Sequence, residues 1–213
     1  VVLGAVLLVL VFAVGYRRKA AVPTGIHNVL ELFVLFVRDQ IAIPNMGDHD
    51  GRRMTPLLCT FFFFVLVLNL LGLIPLFVTA TGNINVTAGL ASIVLGIMVF
   101  GTIFKNGPVG FVKAFIPHGV PWPVLILLIP IEFAGMFIKA FALMIRLFAN
   151  MMAGHIVVLA LLSLVVMYGL WALPAVALAL AIDLLEVFVC FLQAYIFTLL
   201  SAMFIGQMYH PAH

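Results

Sequence analysis

Two continuous apolar segments at the C-terminal end of the chain constrain its fold more than any other feature. Val124–Tyr168 and Leu173–Tyr209 are joined by Gly169, Leu170, Trp171 and Ala172, just before Pro174. As one α-helix, the first segment would be about 68 Å long, against a bilayer hydrocarbon core of about 30 Å. Because membrane helices tilt by only about 20° on average, an ordinary crossing does not fit it. We predict an antiparallel hairpin of two long, strongly tilted membrane helices.

The alternative is a break in the first of these helices, at Pro130 or Gly154. Between Ile131 and Tyr168 the sequence contains no proline and no cluster of turn residues. Because helix ends usually carry such residues, this pattern favours one continuous helix.

The composition excludes a water-soluble domain. Hydrophobic residues make up 66% of the chain and charged residues only 8%. The apolar runs are continuous rather than alternating, which indicates helices and not a β-barrel. The net charge of +3 is too small to indicate binding of nucleic acid. We therefore predict an all-α, polytopic transmembrane protein with a single membrane domain, residues 1–213.

The earlier part of the chain contains three further transmembrane segments and one interfacial helix. Residues 1–16 are apolar and read as the end of a first transmembrane helix; the chain begins inside this run without Met, so we expect residues to precede it. Residues 24–46 mix apolar and polar side chains at helical spacing, which is typical of an amphipathic helix at the membrane interface. After a polar loop over 45–53, residues 56–78 and 87–104 are two ordinary transmembrane helices.

The basic residues orient the chain in the membrane. If the segments cross as predicted, the cations outside the long hairpin all fall on one side, namely Arg17, Arg18, Lys19, Arg38, Arg52, Arg53, Lys105 and Lys113. The positive-inside rule makes this side the cytoplasmic or matrix side, and the C-terminus returns to it.

Charged and polar residues interrupt the first segment of the hairpin. Glu132, Lys139 and Arg146 recur at seven-residue intervals and lie along one helix face, with Asn150 close to it. A full charge at the bilayer centre costs about 2.5–3.5 kcal/mol. An anionic partner or an ion path therefore explains Arg146 better than the alternative, a side chain that snorkels to the headgroups.

Folding the hairpin about Trp171 predicts which polar residues meet. His155 comes to face Glu186, and Arg146 comes within reach of Gln193. Histidine and carboxylate groups can titrate near physiological pH once burial shifts them, whereas an arginine stays protonated and acts as a fixed positive charge. A seam of this composition, which includes Asp183 in the stripe with Glu186 and Gln193, predicts a path for protons or ions.

The sequence lacks the motifs of an enzyme that acts on nucleotides or uses zinc. It contains no GxxxxGK[ST], no GxGxxG and no zinc signature, so we expect no bond chemistry, no cofactor and no metal on this chain. Transport remains. A secondary ion-coupled transporter is one alternative, but such proteins usually have paired, interrupted half-helices from an internal repeat, and we find no repeat. A non-transporting assembly subunit is the other, but it would not need ionised groups in its last two helices.

Three stretches resemble one known family. Residues 146–155 (RLFANMMAGH) with Glu132 upstream, residues 186–197 (EVFVCFLQAYIF) and residues 69–75 (NLLGLIP) resemble subunit a (subunit 6) of the F-type ATP synthase. The resemblance covers nearly all of the chain.

The resemblance implies the stator subunit of a rotary motor. In that family two offset half-channels lead to a ring of c subunits, each with a carboxylate in the membrane. The essential arginine of the family corresponds to Arg146, and the internal access residue to Glu132. The residues of the external half-channel correspond to Asn150, His155, Glu186 and Gln193, with Asp183 as a further candidate on the entry path.

The resemblance also shows where this chain departs from many members and what surrounds it. Many members carry Glu and His in the reverse order at the positions of His155 and Glu186, and some carry a carboxylate in place of Gly72.

The implied partners are the c ring, the peripheral-stalk b subunits and the rest of the ATP synthase, with lipid around the chain and no nucleic acid. The implied location is an energy-coupling membrane, the bacterial cytoplasmic membrane rather than the mitochondrial inner membrane.

Overall fold

The computed structural model describes residues 1–16, 26–73, 81–113 and 122–209. Every secondary-structure element in these ranges is a helix, and none is a strand. The α-helices are α1 (Val2–Tyr16), α2 (Ile26–Phe36), α3 (Ile43–Gly72), α4 (Ile84–Gly96), α5 (Thr102–Lys113), α6 (Trp122–Tyr168) and α7 (Leu173–Tyr209). Two π-helical turns, Val37–Ala42 and Ile97–Gly101, connect α2 to α3 and α4 to α5.

Four helical segments in the described ranges are long and apolar enough to cross a membrane: Asn28–Gly72, Ile84–Pro108, Leu127–Tyr168 and Leu173–Tyr209. Helix α1 is also apolar, although its 15 residues are fewer than a full crossing needs. The prediction of an all-α, polytopic membrane protein is confirmed.

The two long C-terminal helices form a hairpin. Helix α6 has 47 residues and runs without interruption through Pro130 and Gly154, so the predicted alternative of a break there is wrong. Gly169 ends α6 with a φ of 56°, a left-handed conformation that glycine adopts without a steric penalty. A 3₁₀ turn over Gly169–Ala172 leads into the 37 residues of α7. Pro174 is tolerated in the first turn of α7 because the N–H groups of that turn have no partner within the helix, so the missing N–H of proline breaks no helical hydrogen bond.

The predicted polar loop over residues 45–53 is wrong except at Gly47, because the residues on both sides of this glycine are helical. Gly47 itself has a non-helical backbone, with a φ of 78° and a ψ of 167°, and divides α3 at a sharp kink. After the kink the chain folds back on the preceding π-helical turn. A Cβ atom at Gly51 would lie 2.9 Å from the carbonyl oxygen of Ala42. The polar side chains that suggested a loop therefore belong to a helix at the polar end of the molecule.

Helix α3 is the centre of the packing, with α1 against one side and α7 against the other. The ring of Phe12 on α1 meets Phe63 edge-on at 5.1 Å between centroids. On the other side the buried ring of Phe197 on α7 meets Phe61 edge-on at 5.9 Å. Such pairs favour this edge-to-face geometry. The helices around the core therefore hold α7 in a defined rotation.

One end of the molecule gathers basic groups from distant parts of the chain. The ammonium group of Lys105 pairs with the carboxylate of Asp50 and lies 4.8 Å from the centre of the Tyr209 ring. The amide of Asn106 donates to the carbonyl oxygen of Tyr209 at 3.4 Å. The start of α3, helix α5 and the C-terminal end of α7 thus share one side, as the charge pattern predicts. Residues 17–19, which belong to the same prediction, lie outside the described ranges.

Candidate functional site

Arg146 lies near the middle of α6 and is exposed. In the described ranges no hydrogen bond and no ion pair involves its guanidinium group. Large apolar side chains elsewhere around α6 are also exposed, among them Phe137, Phe141 and Ile145. A charged residue within a membrane-spanning helix is a candidate functional residue.

A cavity of about 310 Å³ lies between α6 and α7, a short distance from this arginine along the helix. Most of its lining is apolar, and Asn150 and Glu186 are its polar lining residues, with Gly154 and Cys190 beside them. The Oε1 atom of Glu186 is fully enclosed and has no hydrogen-bond partner in the described ranges. An ionisable group enclosed in this way is costly unless it has a use.

Gly154 makes room for the Glu186 carboxyl group. A Cβ atom at this position would lie 1.6 Å from Oε1 of Glu186 and 2.6 Å from its carboxyl carbon. A glycine inside a helix costs about 0.5–1 kcal/mol relative to alanine. The close approach of Glu186 explains why α6 carries a glycine here.

His155 joins α6 to the end of α3. Its Nε2 atom lies 3.1 Å from the carbonyl oxygen of Gly72, and its Nδ1 atom lies 3.1 Å from the carbonyl oxygen of Met151. Both neighbours are acceptors. A neutral imidazole can donate to only one of them, and a protonated imidazole can donate to both.

His155 and Glu186 come near each other, but the predicted register of the hairpin is off by about one residue. No hydrogen bond or ion pair joins the two groups in the described ranges. Gly154 faces Glu186 instead, and His155, about 100° further round the helix, faces α3. The two groups remain near enough for their charges to interact, and the charge of Asp183 reaches Glu186 as well.

The remaining predicted residues divide into buried and exposed ones. Gln193 is only 4% exposed, inside the packing of α7. Glu132, near the start of α6, and Asp183, one turn before Glu186, are exposed. The structure therefore brings Asn150 and Glu186 to one cavity. The proposed roles of all seven residues stay predictions.

Three features of the site were not predicted. Lys139 donates to Oε1 of Gln207 at 2.9 Å and lies 5.5 Å from the ring of Phe204. Asn69 is 2% exposed, and neither atom of its amide group has a partner in the described ranges. The Gly72 carbonyl oxygen, a backbone atom, binds His155. A glycine in the middle of a helix often indicates a close contact, so the contact between Gly154 and Glu186 could have been predicted from the sequence. Nothing in the sequence pairs Lys139 with Gln207.

The substitution Lys139→Met is expected to lower the free energy of unfolding by about 1 kcal/mol, since one hydrogen bond between α6 and α7 is lost. Gln207→Leu should cost about the same, and the double variant no more than either single one, because both remove the same contact. Thermal unfolding of the purified protein in mild detergent measures this. Additive losses in the double variant would show that the two side chains do not interact.

The fold and the site define a multi-pass helical membrane protein with ionisable residues inside its membrane segments. The family model described as "ATP synthase A chain" matches residues 1–206. The chain belongs to this family, the membrane subunit a of the F-type ATP synthase.

Individual relatives agree with the family match. The chain is 49% identical over 209 residues to an ATP synthase subunit a of Anaeromyxobacter dehalogenans (strain 2CP-C), which covers 96% of this chain and 55% of that relative. It is 48% identical over 216 residues to the subunit a of Anaeromyxobacter sp. (strain Fw109-5), with 99% and 53% covered. It is 46% identical over 213 residues to the subunit a of Myxococcus xanthus (strain DK1622), with 97% and 69% covered. The chain thus spans about half the length of the two Anaeromyxobacter relatives.

Proposed function

We propose that the chain is the stator channel of a rotary F-type ATP synthase. Two offset proton half-channels lead to a ring of c subunits, and Arg146 stands beside that ring. Proton flow through the half-channels turns the ring and so drives ATP synthesis in another part of the complex. This chain carries no catalytic chemistry of its own.

The observation that carries the proposal is the exposed guanidinium of Arg146 near the middle of α6, which forms no hydrogen bond and no ion pair within the described ranges. A rotor helix with a carboxylate in the membrane would supply both the apolar cover and the anion. At a separation of about 4 Å and an effective dielectric constant of about 20, the attraction is about 4 kcal/mol. That is enough to offset the cost of about 2.5–3.5 kcal/mol for a charge at mid-membrane.

The arrangement of the other ionisable residues supports two separate paths. Glu132 is fourteen residues before Arg146 on α6, about 21 Å along the helix, and His155 is nine residues after it, about 14 Å. Asn150, His155, Asp183, Glu186 and Gln193 would form the external half-channel, and Glu132 would give access from the internal side. Because a guanidinium does not give up its proton, Arg146 would keep the two paths from joining.

The proposal includes partners and a location. Besides the c ring, the chain would bind peripheral-stalk b subunits and would sit in a bacterial cytoplasmic membrane, with its C-terminus on the cytoplasmic side.

The described residues contain no group of three or more His, Cys, Asp or Glu that could hold a metal ion.

A photo-crosslinking experiment tests the rotor contact. A photoreactive residue at Ile145, which is 37% exposed, should crosslink to a small proteolipid when membranes containing the complete complex are irradiated. The same residue at Leu143, which is 1% exposed and two residues away, is the control and should crosslink within this chain. Purification in mild detergent should co-isolate the proteolipid ring and a nucleotide-hydrolysing head. Crosslinking of Ile145 to lipid alone would contradict the proposal.

A further inference from the structure

A second cavity, of about 480 Å³, lies at the basic end of the molecule, far from the seam between α6 and α7. It opens between α1, α2, the first π-helical turn and α3. Most of its wall is apolar, and its charged lining consists of two arginines; the residues used below are Leu8, Phe12, Val34, Arg38, Arg52 and Cys59. A volume of this size is typical of sites that hold a small molecule, about 300–1,000 Å³.

The charged lining of the cavity and most of its apolar lining lie at different heights along α3, which also contributes two threonines to the wall. Arg52 and Cys59 both lie on α3, seven residues apart, which corresponds to about 10 Å along the helix. Leu8 and Phe12 of α1 face this apolar part. A ligand that fills the cavity therefore needs a charged head and an apolar tail.

The two arginines at the charged end of the cavity differ in their partners. The Nε and Nη2 atoms of Arg38 donate to the two carboxylate oxygens of Asp39, at 2.7 and 3.0 Å. Asp39 itself lines a separate groove with Leu32 and Gln40, so it fixes Arg38 from outside the cavity. Arg52 forms no ion pair in the described ranges, although its charge reaches Asp39.

We propose that this cavity binds one anionic phospholipid, with the phosphate on Arg52, beside the Arg38–Asp39 pair, and an acyl chain along Leu8, Phe12 and Val34. Guanidinium groups match the geometry of a phosphate with paired N–H donors. Basic pockets between membrane helices on the positively charged side suit acidic headgroups, since anionic lipids concentrate in that leaflet. The lining contains no carboxylate that would attract the ammonium group of a zwitterionic lipid.

The next residue along the chain offers a matched control. Arg53 carries the same charge as Arg52 but lines another cavity, together with His49, Asp50, Lys105 and Tyr209. Replacing either arginine by glutamine changes the net charge of the protein equally. Only Arg52→Gln removes a group from the proposed lipid site.

The test uses the full-length protein in the complete complex, reconstituted in vesicles that contain a trace of diazirine-bearing phosphatidylglycerol. Irradiation should label peptides that contain Leu8, Phe12 or Val34. Arg52→Gln should lower this labelling about fivefold, as expected for the loss of about 1 kcal/mol from one basic residue. Arg53→Gln should leave it unchanged, and diazirine-bearing phosphatidylcholine or phosphatidylethanolamine should label these peptides at the low level of the Arg52→Gln variant.

A second variant tests the apolar part without changing any charge. Val34→Trp fills the cavity and should also lower the labelling, whereas Leu32→Trp, at an exposed residue on the separate groove, should not. This pair remains informative if Arg52→Gln fails to fold, which the yield of assembled complex reveals.

Several outcomes would overturn the assignment. Equal labelling by the zwitterionic lipids would show that the site does not select an anion. Displacement by millimolar inorganic phosphate would show a site for the phosphate group alone. Labelling in the isolated chain but not in the complete complex would show that another subunit occupies the cavity.

Discussion

Replacing Arg146 with Ala is expected to abolish both ATP synthesis and ATP-driven proton pumping. The variant removes the positive charge that would face the rotor from the middle of α6, and with it the barrier between the proposed half-channels. Passive proton leak through the membrane sector should persist or increase. Synthesis and pumping can be measured in inverted vesicles by ATP production and by quenching of a pH-sensitive dye.

Two further variants show whether the loss depends on this particular group. Arg146→Lys should restore little activity, since an ammonium is a compact point charge that can lose its proton when it is desolvated. Lys139→Ala removes a positive charge one heptad earlier on the same helix face and should leave most of the activity, because Lys139 contacts Gln207. Coupled synthesis at a near-normal rate in Arg146→Ala would rule out the proposed role.

The second large effect is expected from Gly154→Ala, a change of one methyl group. The new Cβ atom would occupy the place of the Glu186 carboxyl group, which lies at 1.6–2.6 Å from it. Because the clash is with the end of a flexible side chain, the carboxyl group should swing out of the cavity while the helices keep their packing. We expect proton-driven ATP synthesis to fall about tenfold, equivalent to about 1.4 kcal/mol in the barrier.

The chain provides a control on the same helix. Gly135 has open space where a Cβ atom would be added, so Gly135→Ala should leave synthesis unchanged and stabilise α6 slightly. The double variant Gly154→Ala with Glu186→Asp should recover part of the activity, because the shorter acid leaves room for the methyl group. If Gly154→Ala synthesises ATP normally, the position of Glu186 in the cavity has no part in proton flow.

The long helices were predictable because the bilayer leaves few choices. Backbone groups in lipid must be paired within the chain, so a long apolar segment without turn residues is a helix. This reasoning correctly predicted that α6 continues through Pro130. It failed over residues 45–53, where polar side chains suggested a loop. At a membrane interface polar residues are equally compatible with a helix, and the kink depends on the single glycine Gly47.

The candidate site was predictable in its residues but not in its contacts. Counting residues back from Trp171 gives the register of the hairpin to about one residue. One residue corresponds to about 100° of rotation on a helix, so the count could not tell whether Gly154 or His155 faces Glu186. It also could not show that His155 reaches α3, because a carbonyl group leaves no trace in the sequence.

The contact between His155 and Gly72 has a consequence for the end of a helix. Gly72 is the last residue of α3, and its carbonyl is among those that have no partner within the helix. The imidazole therefore acts as a C-terminal cap supplied by another helix, at the negative end of the α3 dipole. A substitution that removes the N–H donor of His155 would fray the end of α3 and would also remove the imidazole from the proposed half-channel. Leu73, which follows Gly72 directly, lines the cavity around Glu186. Fraying of the end of α3 and loss of the imidazole would therefore both disturb this cavity.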